Sequence, residues 1–375
     1  MKKIFSFFMK ETVLCIACLL AVLSAFFIPP DVQYLSYIDF RTLGILFCLM
    51  TVMAGLQEIG VFRKFAQDML SKVNTLRQLV PILVMLCFFS SMLMTNDVAL
   101  ITFVPFTFIV LGLAGDDTKR KHIIPIVVMQ TVAANLGSML TPIGNPQNLY
   151  LYSKSGISLL DFFLLMLPYT AVSCILLFGW SLWYTRKNNN ALTVKFSEKA
   201  EIASRRNAII YLILFILSLL TVTHTVHYLI TLGIVLLTVL IADRRILKKV
   251  DYSLLITFIG FFVFIGNMGR LSVFREFLES IVVGNEVYTA IAASQIISNV
   301  PAALLLSGFT DQYDQLIIGT NLGGLGTLIA SMASLISYKY IAKEKNAPKG
   351  KYLLYFTVVN LVFLAVLMLL FFVIA

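Results

Sequence analysis

Two polar doublets, Asn96-Asp97 and Ser298-Asn299, interrupt strongly apolar stretches, and a Gly/Asn-rich block follows each, Asn135-Leu136-Gly137-Ser138-Met139-Leu140-Thr141 and Asn321-Leu322-Gly323-Gly324-Leu325-Gly326-Thr327. Amide and hydroxyl groups of this kind offer oxygens to a hard cation and N–H groups to a polar anion without a permanent buried charge. The candidate solute and ion ligands are therefore Thr95, Asn96, Asp97, Asn135, Thr141, Gly144, Asn145, Asn148, Ser298, Asn299, Thr320, Asn321, Thr327 and Ser331. A candidate Na+ site groups Asn96 and Asp97 with Ser298 and Asn299. Asp97 is the sharpest of these residues. A carboxylate at membrane depth costs several kcal/mol unless it is paired, hydrated or protonated, so it reads as a group that titrates or holds a cation. It is also a good N-cap for the helix that follows, and the two roles are compatible.

Backbone must be broken to present such groups. In Thr141-Pro142-Ile143-Gly144-Asn145-Pro146-Gln147-Asn148, two prolines remove donors and clash with preceding carbonyls, so the segment 123–151 is expected to be a broken helix. Gly319, Gly323, Gly324 and Gly326 do the same in the segment 316–338. Broken backbone survives in hydrocarbon only where protein or a water-filled cavity supplies partners. Each break exposes free N–H groups at one helix end and free carbonyls at another, a positive pole for an anion and oxygens for a small cation.

The elements that carry these groups span a membrane. The chain is 59% hydrophobic and 13% charged, against about a quarter charged in soluble domains. Nine segments are read as spanning helices, roughly 12–30, 41–60, 123–151, 161–184, 207–226, 227–242, 252–270, 316–338 and 352–373. The segments 79–114 and 287–308, interrupted by the doublets, are read as re-entrant hairpins. With the N-terminus cytoplasmic, only Arg41, Lys154, Arg270 and Arg275 of the 29 basic residues then fall outside, as the positive-inside rule requires. The C-terminus is expected on the periplasmic or extracellular side. Val61-Phe62-Arg63-Lys64-Phe65 echoes Val273-Phe274-Arg275-Glu276-Phe277, and both segments have the apolar spacing of helices that lie on the membrane surface.

The expected fold is an all-α polytopic membrane protein with inverted-topology repeats: about nine spanning helices, two re-entrant hairpins and two broken helices. Residues 1–184 form the first repeat, 185–206 a cytoplasmic linker, and 207–375 an extra helix with the second repeat. The net charge of +10 invites a nucleic-acid partner, but the distribution of the basic residues sets topology and argues against one. Five cysteines in apolar segments give no disulfide framework. His224 and His227 read as a solvated turn, Glu58 and Arg270 as side chains snorkelling to the interface, and residues 1–30 as a first span rather than a cleaved leader. No H-E-x-x-H, G-x-S-x-G or Walker pattern occurs, which argues against an enzyme, and no cofactor is expected.

At these residues the chain resembles the ion transporter superfamily that includes divalent anion/sodium symporters, citrate transporters, ArsB arsenite permeases and NhaD-type sodium/proton antiporters, and within it the YbiR-type bacterial anion transporters. Thr95-Asn96-Asp97 and Ser298-Asn299-Val300-Pro301 look like the hairpin-tip motifs, and Gly144-Asn145-Pro146-Gln147-Asn148 like the broken-helix motif. The resemblance implies a homodimer in the bacterial inner membrane whose hairpins and broken helices move like an elevator against a scaffold. It implies a secondary transporter carrying a small anion, an inorganic oxyanion or a carboxylate, by symport or antiport with H+ or Na+. Carboxylate-binding members carry Ser-Asn-Thr at both tips; here Asp97 and Val300 replace the last position, an arrangement more like the arsenite permeases. A Na+/H+ antiporter, and a passive channel or membrane sensor, are the alternative readings.

Overall fold

The computed structural model describes residues 11–71, 73–187, 199–344 and 348–374; Lys2, Lys3, Lys10 and the Asn188–Asn190 part of the linker lie outside them. Among the described residues the fold is all-helical. The helices are α1 Thr12–Phe27, α2 Tyr34–Tyr37, α3 Phe40–Glu58, α4 Val61–Leu70, α5 Leu76–Ser90, α6 Asn96–Leu113, α7 Asp116–Ser138, α8 Pro146–Ser155, α9 Leu159–Thr185, α10 Arg205–Val222 and α11 Tyr228–Asp243. After a 3-10 turn at Arg244–Lys249 come α12 Tyr252–Gly269, α13 Ser272–Val282, α14 Glu286–Ile297, α15 Asn299–Leu306, α16 Tyr313–Gly323, α17 Met332–Lys343 and α18 Lys349–Ile374.

One sequence of elements occurs twice: a long helix (α3, α12), a short amphipathic helix (α4, α13), a helix pair (α5–α6, α14–α15), an interrupted helix (α7–α8, α16–α17) and a long helix (α9, α18). The interruptions fall where Pro and Gly place them. Helix α7 stops at Ser138 and α8 starts at Pro146, a proline in the first turn, where its missing N–H costs nothing. Helix α16 stops at Gly323 and α17 starts at Met332.

Six described helices have the length and apolar composition to cross a bilayer. Five of them, α3, α9, α10, α12 and α18, are expected spans. The sixth, α6, is the second arm of the first hairpin, and its 18 residues are more than twice the 8 of its counterpart α15. The expected spans α1 and α11 have 16 residues each, and the other two are the interrupted helices.

Polar contacts join distant loops in pairs. Arg270 donates to Asp31 at 2.7 Å, Arg41 to Nδ1 of His224 at 2.5 Å, and Lys119 to Glu344 at 2.9 Å, while Lys249 pairs with Glu58. Each pair joins segments that the hairpin reading assigns to one side of the membrane. Glu58 and Arg270 therefore do more than snorkel: each has a fixed opposite charge on another element, although both stay well exposed and contribute little to stability.

The packing is crossed between the halves. Helix α8 lies against α15 and α16 of the second half, and α17 lies against α6 and α7 of the first. Around this unit, α3 packs on α10 and α11, and α12 packs on α1, where Asn267 donates to Ser24 Oγ at 2.9 Å and to the Tyr34 hydroxyl at 2.8 Å.

Candidate functional site

Four helices begin at one place. The N-termini of α6, α8, α15 and α17 are joined by hydrogen bonds through the two breaks. The Asn96 backbone N–H donates to the Gly144 carbonyl at 3.1 Å, and the Asn299 N–H donates to the Ala330 carbonyl at 3.0 Å. Each hairpin tip is thus tied by the same kind of bond to the break in its own half. Glycine makes the first tie feasible, because a Cβ on Gly144 would stand 2.1 Å from the Ser138 carbonyl oxygen.

Side-chain amides continue the network across the halves. Asn96 donates to Asn135 Oδ1 at 3.0 Å, Ser331 Oγ donates to the same oxygen at 3.1 Å, and Asn135 reaches the Gly324 carbonyl at 3.4 Å. Asn145 donates to Asn321 Oδ1 at 3.0 Å, and Asn321 donates to Asn148 Oδ1 at 2.6 Å. Asn148 in turn covers the open end of α7, donating to the carbonyls of Ser138, Met139 and Thr141 at 3.2–3.4 Å. Asn145 caps α8, its Oδ1 accepting from the Asn148 N–H at 2.8 Å. Thr141 donates to the Met92 carbonyl at 2.6 Å and so pins the break to the hairpin turn.

Ser298 is the whole turn of the second hairpin. Its φ of 75° and ψ of 153° put a non-glycine residue where almost only glycine goes, at a cost of order 1–3 kcal/mol that the surrounding packing must hold. Stored strain of this kind concentrates at ligand clamps and switch regions. Asn299 lies against Gly324, where a Cβ would come within 3.0 Å of its Nδ2.

Asp97 lies one residue into α6 and lines a cavity of about 180 Å³ with Thr95, Asn145, Gln57 and Asp251. Its Oδ1 is buried with no hydrogen-bond partner. The cavity is bounded on one side by the hairpin tip and the first break and on the other by α3 and the start of α12.

Asn96, Asn135, Asn145, Asn148, Asn321 and Ser331 are brought into direct side-chain contact. Gly144, Thr141, Ser298 and Asn299 adjoin them through backbone bonds, and Thr95 and Asp97 face the cavity. The remaining two candidates stand apart. Thr320 donates back to the Leu316 carbonyl of its own helix at 2.7 Å, and Thr327 is exposed, its hydroxyl 3.4 Å from the Gln295 carbonyl.

Gln295, which the sequence reading passed over, supports the second break: its Nε2 donates to the carbonyls of Gly323 and Leu325 at 3.0 and 2.9 Å, and its Oε1 accepts from the Thr327 N–H at 2.9 Å. It does for α16 what Asn148 does for α7. The Ser294-Gln295 pair one turn before the tip, within an apolar run, was the available signal. No group of three His, Cys, Asp or Glu residues with metal-ligand geometry occurs among the described residues.

Residues 4–311 match the citrate transporter family. An uncharacterized transporter of Methanocaldococcus jannaschii is 33% identical over 334 residues, 88% of this chain and 88% of that protein. The inner membrane protein YbiR of Escherichia coli K12 is 29% identical over 321 residues, 84% of each chain. A silicon efflux transporter of Oryza sativa subsp. japonica is 36% identical over 141 residues, covering 38% of this chain and 28% of that protein.

Proposed function

This chain belongs to the citrate transporter family, and on that premise we propose that it is a secondary active transporter moving a small anion, an inorganic oxyanion or a carboxylate, with H+ or Na+ as the coupling ion. Its relatives are transporters rather than enzymes. The observation that carries the reading is the convergence of four helix N-termini on a buried cluster of neutral amides and hydroxyls. Each N-terminus presents about half a positive charge, which favours an anion without a basic side chain in the cluster. The carbonyls that end α7 and α16, with the Asp97 carboxylate, supply oxygens for a cation or a proton.

The repeats are inverted, with the hairpin α5–α6 entering from the cytoplasm and α14–α15 from outside, and the chain acts as a homodimer. The crossed unit α5–α8 with α14–α17 is the moving body, the remaining long helices are the fixed scaffold, and α4 and α13 are the arms between them. A movement of this elevator kind carries the amide cluster from one side to the other. The topology is tested by single-cysteine labelling with an impermeant reagent: Lys154→Cys reacts from outside, Lys119→Cys and Lys187→Cys from inside, and reaction of positions 119 and 154 from one side refutes the hairpins.

A second reading concerns the solute. The amide cluster contains no cationic side chain, and one relative is a silicon efflux transporter, so a small hydroxylated acid carried in its neutral form also suits the site. Uptake into proteoliposomes under imposed ion gradients decides. Uphill movement of an oxyanion or carboxylate supports the anion reading, and uphill movement of silicic acid the neutral one. Cation exchange alone marks an antiporter, and gradient-independent conductance marks a channel.

A further inference from the structure

The cavity at Asp97 is not isolated. A second cavity, of about 680 Å³, lies between the end of α3, the amphipathic helix α4, the flank of α6 and the linker residues 199–203. Gln57 and Ile101 line both cavities. The wide cavity is rimmed by Arg63 and Lys199, both exposed and both on the face that the charge distribution makes cytoplasmic.

Asp97 lines the inner cavity and Thr102 the outer one, while Asp97 Oδ1 and Thr102 Oγ1 are themselves enclosed and have no protein partner. They lie five residues apart on α6, with Ile101 between the two spaces. Among a mostly apolar lining, Gln57, Thr95, Asp97, Asn145, Lys249 and Asp251 give the inner cavity the polar groups that can hold water, and its volume has room for it.

We propose that the two cavities form one hydrated route from the cytoplasm to Asp97, running along α6 between α3 and α4, with Gln57 as its narrow point. The route gives protons or hydrated cations a path to Asp97 from one side of the membrane while the amide cluster stays closed by its own hydrogen bonds. Ala203 N–H donates to the Ile59 carbonyl at 3.0 Å, and Ala200 N–H bonds Gln67, so residues 199–203 form the outer wall of the vestibule. The inference rests on the proposed function only in making Asp97 the end point; the route itself is a statement about access.

The test uses impermeant methanethiosulfonate labelling in inside-out and right-side-out vesicles, in a background with the five native cysteines replaced. The expected result is that Thr102→Cys and Asp97→Cys react from the cytoplasmic side and not from outside, while Val104→Cys, fully buried on the same helix, stays silent. Adding Gln57→Trp should abolish most of the reactivity at position 97 and leave that at position 102 unchanged. Silence of Thr102→Cys while the rim variant Lys199→Cys reacts overturns the route, as does equal labelling from both sides. Unchanged reactivity of Asp97→Cys beside Gln57→Trp overturns Gln57 as the narrow point. If Asp97→Asn keeps ion-driven transport while the labelling follows expectation, the route stands and only the coupling role of the carboxylate falls.

Discussion

Asn321→Ala is expected to destabilise the protein by about 1–2 kcal/mol, and its effect is expected to be coupled to Asn148. The side chain makes three hydrogen bonds, to Asn148 Oδ1 at 2.6 Å, to the Ile317 carbonyl at 2.8 Å, and from Asn145 at 3.0 Å. Truncation orphans only one group. The Ile317 carbonyl keeps its place in the helix ladder, and Asn145 still reaches Ser138 Oγ at 3.3 Å, but Asn148 Oδ1 loses this partner inside protein. An orphaned buried acceptor costs about 1–3 kcal/mol in a soluble protein. Interhelical hydrogen bonds in membranes average roughly 0.6 and reach about 1.7 kcal/mol, because the unfolded chain in lipid also finds partners. The site is fully enclosed by protein, which places the expectation toward the upper end of the membrane range. Reversible unfolding of wild type, Asn321→Ala, Asn148→Ala and the double variant in one detergent gives the coupling energy, expected at roughly 0.5–1.5 kcal/mol. Strict additivity would refute the argument, since it would mean that the two side chains, which come from different halves of the chain, do not share a bond.

Asp97→Asn keeps size while removing the charge, and the N-cap position of α6 is Thr95, so the variant should express and fold normally but fail to accumulate solute against a gradient in proteoliposomes; full ion-driven accumulation would leave the Asp97 carboxylate no coupling role. Gly144→Ala forces a Cβ to 2.1 Å from a backbone oxygen that cannot withdraw, so folded yield on size-exclusion chromatography should collapse, whereas Gly112→Ala, with open space around it in α6, should be neutral or mildly stabilising. The hydrogen bond from Arg270 holds the Asp31 carboxyl below the usual carboxylate range. A depressed folded-state pKa gives stability that is present above the unfolded value of about 3.9 and lost as pH falls through the folded one, so the small melting difference between wild type and Asp31→Asn should be level from about pH 8 to pH 5 and vanish only in stronger acid.

The tips and the breaks were legible in sequence because hydrocarbon makes polar residues and helix breakers conspicuous: Asn96-Asp97, Ser298-Asn299 and Pro142 through Pro146 stand out against uniformly apolar flanks. Residue type alone does not say where a hydroxyl bonds: Thr320 uses the carbonyl four residues back on its own helix, as a threonine inside a membrane helix readily does. The partnerships could not be read at all. That Asn321 bonds Asn148, or that Ser331 bonds Asn135, depends on how α8 and α17 cross into the opposite half, and no local pattern encodes a crossing. Gln295 was hidden for the same reason, being one polar residue whose use appears only once the break in α16–α17 is folded beside it. The second arm of the first hairpin was legible in the same way as the tips: the interruption at Asn96-Asp97 within 79–114 falls at the first residues of α6, which runs to Leu113.

The exchange of α8 and α17 between the halves also sets a timetable for biogenesis. Helices α6 and α7 leave the ribosome with the amide of Asn135 met only by Asn96, and its partners in the second half, Gly324 and Ser331, follow roughly 190 residues later, which is about 10–40 s of synthesis at ordinary elongation rates. During that interval the first half must sit in the lipid with a polar seam uncovered. The nascent chain therefore has to be shielded by the insertion machinery, or by itself, until the last quarter arrives, and premature stop codons beyond α9 should yield fragments that are cleared by membrane proteases rather than half-size proteins that persist.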